Sequence, residues 1–226
     1  MIKIERKTTE KSEQAVESLK NSEEKGSTYN TKEVMGALFE TFHGKCYICE
    51  ANERSSYQID HLVPHRGDKK LKYDWNNLFL SCAHCNNIKS DKYDPIIDCT
   101  EEEVDELIAF RKVGWFGTDE KLEFTALEDS DKVKNTVRLL YAIHYGTTPQ
   151  KEFEAKILRK EIREELFKFK GYVRDYYDSD EGEEKEDLRC CLKKELSEKS
   201  KFTAFKRWLI RDNGKRYPEL LQYITG

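Results

Sequence analysis

Two pairs of cysteines with metal-ligand spacing stand out in this chain of 226 residues. Cys46 and Cys49 form one C-x-x-C pair, Cys82 and Cys85 form the other, and 32 residues separate the two pairs. Zinc prefers four tetrahedral soft ligands, and each C-x-x-C turn places two thiolates on one side of the ion. The spacing therefore predicts a closed, structural Zn²⁺ site. Four unligated buried thiols are the alternative, and a redox pair is disfavoured because no thioredoxin-like βαβ pattern surrounds either pair.

The segment between the cysteine pairs carries a second set of reactive side chains. Asp60 lies eleven residues after Cys49, His61 follows it, and Asn86 comes directly after Cys85. A carboxylate is a hard oxygen ligand suited to Mg²⁺, and an amide oxygen can add a second ligand. Imidazole titrates near neutral pH and can act as a general base. Because zinc fixes both ends of the segment, we expect these groups to converge on one Mg²⁺ or Mn²⁺ ion.

The combined pattern, C-x2-C, D-H-x-x-P and N-L-x-x-x-C-x-x-C-N-x-x-K, resembles the HNH endonucleases over residues 43–95. The resemblance implies a ββα-metal finger, a two-stranded ribbon and a helix around one catalytic metal. It makes Asp60 a metal ligand, His61 the general base and Asn77 the brace of the loop that carries His61. Asn86 takes the third signature position, which is often histidine. This departure is expected to lower metal affinity more than to change the chemistry.

The implied reaction is hydrolysis of a DNA phosphodiester, in which His61 takes a proton from the attacking water. Phosphate contacts would then come from basic residues on the same face. For each of them the alternative is ordinary solvated loop charge. The candidates are His65, Arg66, Lys69, Lys70, Lys72, Lys89 and Lys92.

The layout of the chain also resembles the nuclease subunits of an anti-phage defence system. That resemblance is carried by residues 1–4 (MIKI), residues 73–82 (YDWNNLFLSC) and residues 204–208 (AFKRW). It implies an SMC-like ATPase subunit as partner and action on invading DNA. Two other hypotheses stay open, namely a restriction or mobile-element HNH nuclease and a catalytically inactive zinc-stabilised module that binds DNA or protein. Intact Asp60, His61 and Asn86 disfavour the inactive module.

The elements around the finger are predicted to be helical, so the fold class is α+β and mainly helical, with a zinc-stabilised finger in an all-α surround. Apolar spacing predicts a weak helix ending near Gly26 and a second from Thr31 to Phe42. A capping box at Thr100 and Glu103 predicts a helix through Ile108. Further helices are predicted over 130–145, from Pro149 onward, over 188–199 and over 202–213, with a short strand at 122–127.

Three segments follow from this pattern. They are an N-terminal helical segment (1–42), the nuclease finger (43–95) and a C-terminal helical domain (96–226) with an exposed acidic loop near 178–187. Trp115 and Phe116 are expected in the core of the C-terminal part.

Charge is abundant but nearly balanced. Charged residues make up 37% of the chain, against roughly 25% in an average soluble protein, and the net charge is −4. A uniformly basic nucleic-acid coat is therefore excluded. Residues 178–187 alone contribute −6, and the rest of the chain is +2. We expect weak DNA binding by the chain alone and dependence on a partner. The chain contains no long apolar run, so we expect a cytoplasmic protein without membrane contact.

Overall fold

The computed structural model describes residues 1–114 and 120–224. Two helices open the chain, α1 (Glu10–Lys25) and α2 (Lys32–Thr41). The side chain of Thr9 caps α1, and Gly26 ends it in the left-handed conformation that glycine favours. Thr31 caps α2 by accepting a hydrogen bond from the amide of Val34. Both predicted helices are confirmed.

The finger follows as a hairpin and a short helix. Its strands are β1 (Tyr57–His61) and β2 (Leu78–Cys82), which pair antiparallel with Tyr57 opposite Cys82 and His61 opposite Leu78. Between them lie α3 (Lys69–Tyr73) and one 3-10 turn (Trp75–Asn77), and α4 (Ala83–Lys89) comes directly after β2. The ββα arrangement implied by the motif is therefore present.

A second hairpin follows the finger and corrects the expectation of an all-helical surround. After the single turn α5 (Val104–Leu107), the chain enters β3 (Ile108–Val113), which pairs antiparallel with β4 (Lys121–Ala126). The helix predicted from the capping box is wrong beyond this one turn. The rings of Phe110 and Phe124 pack edge to face across the hairpin at 5.5 Å, and this packing favours the strand. The predicted strand at 122–127 is confirmed.

Four α-helices follow, α6 (Asp131–Tyr145), α7 (Pro149–Asp178), α8 (Glu183–Leu196) and α9 (Thr203–Asp212), and a 3-10 helix (Pro218–Tyr223) comes after them. The expected acidic loop is shorter than predicted, because α8 begins at Glu183 and takes up most of its acids. Glu183, Glu184 and Glu186 lie in the first turn of α8, where the helix dipole favours negative charge. The mainly helical α+β class is confirmed.

One buried apolar cluster joins the finger to the helices around it. It runs from Met1 and Leu19 through Phe79 in β2 to Leu140 in α6 and Phe205 in α9. A smaller cluster lies between α7, α8 and the end of the chain. The finger thus shares one apolar core with the helices around it. The division of the chain at residues 43 and 95 stays a prediction. The expected core position of Trp115 and Phe116 lies outside the described residues.

Within residues 1–114 and 120–224, no helix combines the length and the apolar character needed to cross a membrane.

Candidate functional site

The four paired cysteines converge at one end of the finger hairpin. Cys46 and Cys49 lie in the turn before β1, Cys82 ends β2, and Cys85 lies in the first turn of α4. All four are buried, and their sulfur atoms lie within 4.8 Å of one another. A tetrahedral zinc ion with Zn–S bonds of about 2.3 Å needs sulfur atoms roughly 3.8 Å apart. The geometry and the donor set therefore fit zinc.

The zinc-type cluster also fixes the position of the reactive residues. Cys82 pairs with Tyr57 at one end of the hairpin, and His61 pairs with Leu78 at the other. Successive side chains of a strand point to opposite faces, so Asp60 and His61 project to opposite sides of the ribbon. Asp60 faces α4, and His61 faces the loop that connects the strands.

Asp60 is buried and receives two hydrogen bonds. The hydroxyl of Tyr47 donates to its Oδ2 at 2.6 Å, and the ammonium of Lys89 donates to its Oδ1 at 3.2 Å. Burial raises the pKa of Asp60, and the charge of Lys89 opposes that rise. The pKa of Tyr47 is raised well above its usual value, first by burial and then by the neighbouring charge of Asp60. Tyr47 therefore stays a hydrogen-bond donor.

His61 is oriented by a main-chain carbonyl. Its Nε2 lies 3.1 Å from the carbonyl oxygen of Lys72, and since a carbonyl only accepts, Nε2 carries the hydrogen and Nδ1 keeps its lone pair. The rings of Tyr29 and His65 each lie 4.7 Å from the His61 ring, both edge to face. Burial lowers the pKa of His61, so the ring is neutral and able to accept a proton at neutral pH.

Asn77 holds the loop that follows His61. Its Oδ1 accepts from the amide of Val63 at 2.8 Å, and its Nδ2 donates to the carbonyls of Val63 and Leu71 at 2.9 Å each. The amide of Leu62 also donates to the carbonyl of Asn77. These bonds connect both ends of the loop at 62–71 to the start of β2. The neighbouring Asn76 is exposed.

Asn86 lies in α4 opposite β1. Its Nδ2 donates to Oε1 of Gln58 at 2.7 Å, and Gln58 lies two residues before Asp60 on the same face of the strand. Asp60 and Asn86 thus supply one carboxylate and one amide from neighbouring elements. A carboxylate has about four lone-pair sites, so Asp60 keeps acceptor capacity besides its two hydrogen bonds. Oxygen donors of these types suit Mg²⁺ or Mn²⁺, and the assignment of Asp60 and Asn86 as ligands stays a prediction.

The predicted phosphate contacts fall into two groups. Arg66, Lys69, Lys70 and Lys92 are exposed, and His65 and Lys72 are half-buried. Lys89 differs, because it is only 3% exposed and its ammonium donates to Asp60 and to the carbonyl of His61 at 2.6 Å. The prediction that Lys89 contacts phosphate at the surface is therefore wrong, because its side chain points inward from the last turn of α4.

Sequence reasoning missed several contacts. Tyr29, in the loop between α1 and α2, packs against His61 although it lies more than thirty residues earlier. No local pattern signals such a distant contact. Tyr47 lies between Cys46 and Cys49, and this position next to the metal-ligand pair could have indicated that its side chain lies near the site. His84 lies in the second pair and binds Glu154 and the carbonyl of Ile143, and it thereby connects the finger to α6 and α7.

Comparison with protein families agrees with this geometry. Residues 46–92 match the family model described as HNH endonuclease, and this match covers most of the finger. The chain is also similar to two proteins named "Septu protein PtuB". The one from Bacillus mycoides (strain KBAB4) is 34% identical over 83 residues, 30% of this chain and 28% of the relative. The one from Bacillus thuringiensis is 37% identical over 70 residues, 28% of this chain and 27% of the relative.

The alignments thus span little more than a quarter of the length of these curated relatives. No solved structure matches the chain.

Proposed function

We propose that the chain is a Mg²⁺- or Mn²⁺-dependent endonuclease that hydrolyses DNA phosphodiester bonds. The observation that supports the proposal is the oriented, neutral His61 at the end of the finger hairpin, at the opposite end from the four cysteines. The carbonyl of Lys72 is bonded by Nε2 of His61, so the lone pair on Nδ1 is left to accept a proton. A neutral imidazole held in one tautomer is what a general base for water requires.

The chain's own residues define the roles in the reaction. His61 would remove the proton from a water molecule as its oxygen forms a bond to phosphorus. The bond from phosphorus to the 3′ oxygen breaks, and that oxygen takes a proton, so the products are a 5′-phosphate and a 3′-hydroxyl. Asp60 and Asn86 would hold the divalent cation, which supplies positive charge opposite the phosphate oxygens. Asn77 fixes the loop beside His61.

The exposed Arg66, Lys69, Lys70 and Lys92 and the half-buried His65 and Lys72 are proposed to contact phosphates of the bound DNA. They form a small patch on a chain of net charge −4. We therefore propose weak DNA capture by the chain alone, and help from a partner in the cytoplasm. The similarity to PtuB supports a Septu-like anti-phage role and an SMC-like ATPase partner of the PtuA type.

The experiment that tests this function is cleavage of plasmid DNA by the purified, zinc-loaded chain. Cleavage is expected with Mg²⁺ or Mn²⁺, is expected to stop with a chelator that leaves zinc in place, and should rise at physiological salt when the ATPase subunit is added. Single-stranded DNA and RNA serve as comparison substrates. Absence of cleavage of every substrate, with and without the partner, would favour an inactive zinc-stabilised binding module.

A further inference from the structure

The long helix α7 has one buried face and one face that is largely exposed in the described chain. Its buried stripe packs against α6, α8 and α9 and consists of Leu158, Ile162, Leu166, Phe169 and Val173. On the other side, Phe153 is 67% exposed, Ile157 46% and Phe167 80%. Single exposed apolar residues are ordinary on a protein surface, so exposure by itself decides nothing.

Six positions lie in one row along this face of the helix. Residues 153, 157, 160, 164, 167 and 171 follow each other at intervals of four, three, four, three and four. This is the spacing of a coiled-coil seam, in which such positions face a partner helix. Three of these six positions, Phe153, Ile157 and Phe167, are exposed apolar residues, and the other three are Lys160, Glu164 and Gly171.

The residues along this seam are complementary to themselves when a second copy is laid antiparallel. A two-fold axis opposite residue 162 brings Lys160 against the second copy's Glu164, and Ile157 against its Phe167. It also brings Phe153 against the second copy's Gly171. The contacts between the two helices would thus be of three kinds, namely an ion pair, an apolar pair, and a large ring over a position without a side chain. The two-fold axis makes each contact occur twice.

Gly171 gives independent support. Glycine inside a helix lowers helix stability relative to alanine, and a Cβ added at this position would meet no atom within 4 Å. The packing of a single chain therefore does not require glycine here. A second copy that seats Phe153 on this position would use the space that glycine leaves open.

The charged layer is available for such pairing. Within one chain, Nζ of Lys160 lies 3.7 Å from Oε1 of Glu164, and about two thirds of each side chain is exposed. Lysine placed four residues before glutamate is the less favourable order for a pair within one helix. Both groups can therefore turn toward a partner at little cost.

We propose that the chain self-associates through α7 as an antiparallel, two-fold helix pair. The proposal depends on the residues of α7 alone and does not require nuclease activity. Sedimentation equilibrium of the full, zinc-loaded chain from micromolar to millimolar concentration tests it. The mass is expected to rise from the 26.7 kDa of one chain toward twice that value.

Charge reversal tests the register. Lys160→Glu places like charges in both symmetric layers and is expected to weaken self-association by about tenfold. The double variant Lys160→Glu/Glu164→Lys restores the opposite pairing and should return the dissociation constant to that of the parent. Leu127→Ser, at an exposed apolar residue outside α7, is the matched control and should change nothing.

A second variant separates pairing from folding. Gly171→Leu fills the position that Phe153 of the second copy would occupy, so self-association should be lost while helix content by circular dichroism stays the same or rises. A mass of one chain at every concentration would overturn the proposal. A dissociation constant unchanged in Lys160→Glu, or a double variant that fails to recover, would overturn it as well.

Discussion

Lys89 and Asp60 form a buried ion pair that connects the last turn of α4 to the end of β1. The ammonium lies 3.2 Å from Oδ1 of Asp60 and 2.6 Å from the carbonyl oxygen of His61. One side chain thus contacts both consecutive residues of the D-H motif. The helix that carries Asn86 is held in place against the strand that carries Asp60 and His61.

Lys89→Met is expected to lower the free energy of unfolding by about 3 kcal/mol, because it leaves the carboxylate of Asp60 buried with only the hydroxyl of Tyr47 as partner. Urea denaturation measures the change. Lys92→Met is the control, since Lys92 is exposed three residues later, and it should alter stability by less than about 0.5 kcal/mol. Equal effects of the two substitutions would show that the ion pair does not stabilise the finger.

Asn77→Ala should destabilise the loop at 62–71. The substitution removes three hydrogen bonds to the main chain at Val63 and Leu71, and at about 1 kcal/mol each the expected loss is roughly 2–3 kcal/mol. Amide hydrogen exchange should also accelerate at Val63. Asn76→Ala is the matched control, because Asn76 is the exposed neighbour of the same residue type. Unchanged exchange at Val63 in Asn77→Ala would contradict the bracing role.

Cys82→Ser should remove the metal cluster and with it the stability of the finger, because metal binding and folding are coupled in such sites. The parent protein is expected to contain about one zinc per chain by elemental analysis, and a strong chelator should lower its melting temperature. Cys190→Ser, at an exposed cysteine far along the chain, should keep both the zinc and the melting temperature. A Cys82→Ser protein as stable as the parent would show that the four thiols do not hold a structural ion.

Stability should fall in acid partly through His144. Burial lowers the pKa of this histidine to about 3. Its Nδ1 donates to the carbonyl of Leu140, and its buried Nε2 has no hydrogen-bond partner among the described residues. The unfolded state, with a histidine pKa of about 6.5, binds the extra proton first as the pH falls. The stabilising contribution is therefore complete above pH 6.5 and declines toward pH 3.

The expected loss from His144 between pH 7 and pH 4 is roughly 3 kcal/mol. Urea denaturation of the parent and of His144→Leu at both pH values isolates this contribution, because the variant lacks the titrating ring. The parent should lose more stability than His144→Leu over this interval. Identical losses would indicate that His144 is protonated in the folded state without penalty.

The sequence predicted the finger because its signals are local and specific. The spacing from Cys46 to Cys49 and from Cys82 to Cys85 placed the metal cluster, and the D-H pair placed the reactive end of β1. Helix ends were predictable for the same reason, since Thr31 and Thr148 accept hydrogen bonds from first-turn amides.

What the sequence could not predict depends on contacts between distant elements. Lys89 looked like a surface cation until the fold placed Asp60 beside it, and Tyr29 reaches His61 only because α1 and α2 pack beside the finger. The apolar residues at 104–108 are too few for their spacing to separate helix from strand. The chain forms one helical turn at Val104–Leu107, and the pairing of β3 with β4 makes it a strand from Ile108 onward.

The central claim is that His61 is the general base of a metal-dependent nuclease. Single-turnover cleavage of DNA with Mn²⁺, at matched zinc content, tests it most directly in the parent, in His61→Ala and in His43→Ala, a histidine outside the site that pairs with Glu198. The cleavage rate is expected to fall at least about 100-fold in His61→Ala and to stay at the parental value in His43→Ala. A His61→Ala protein that cleaves DNA at the parental rate would contradict it.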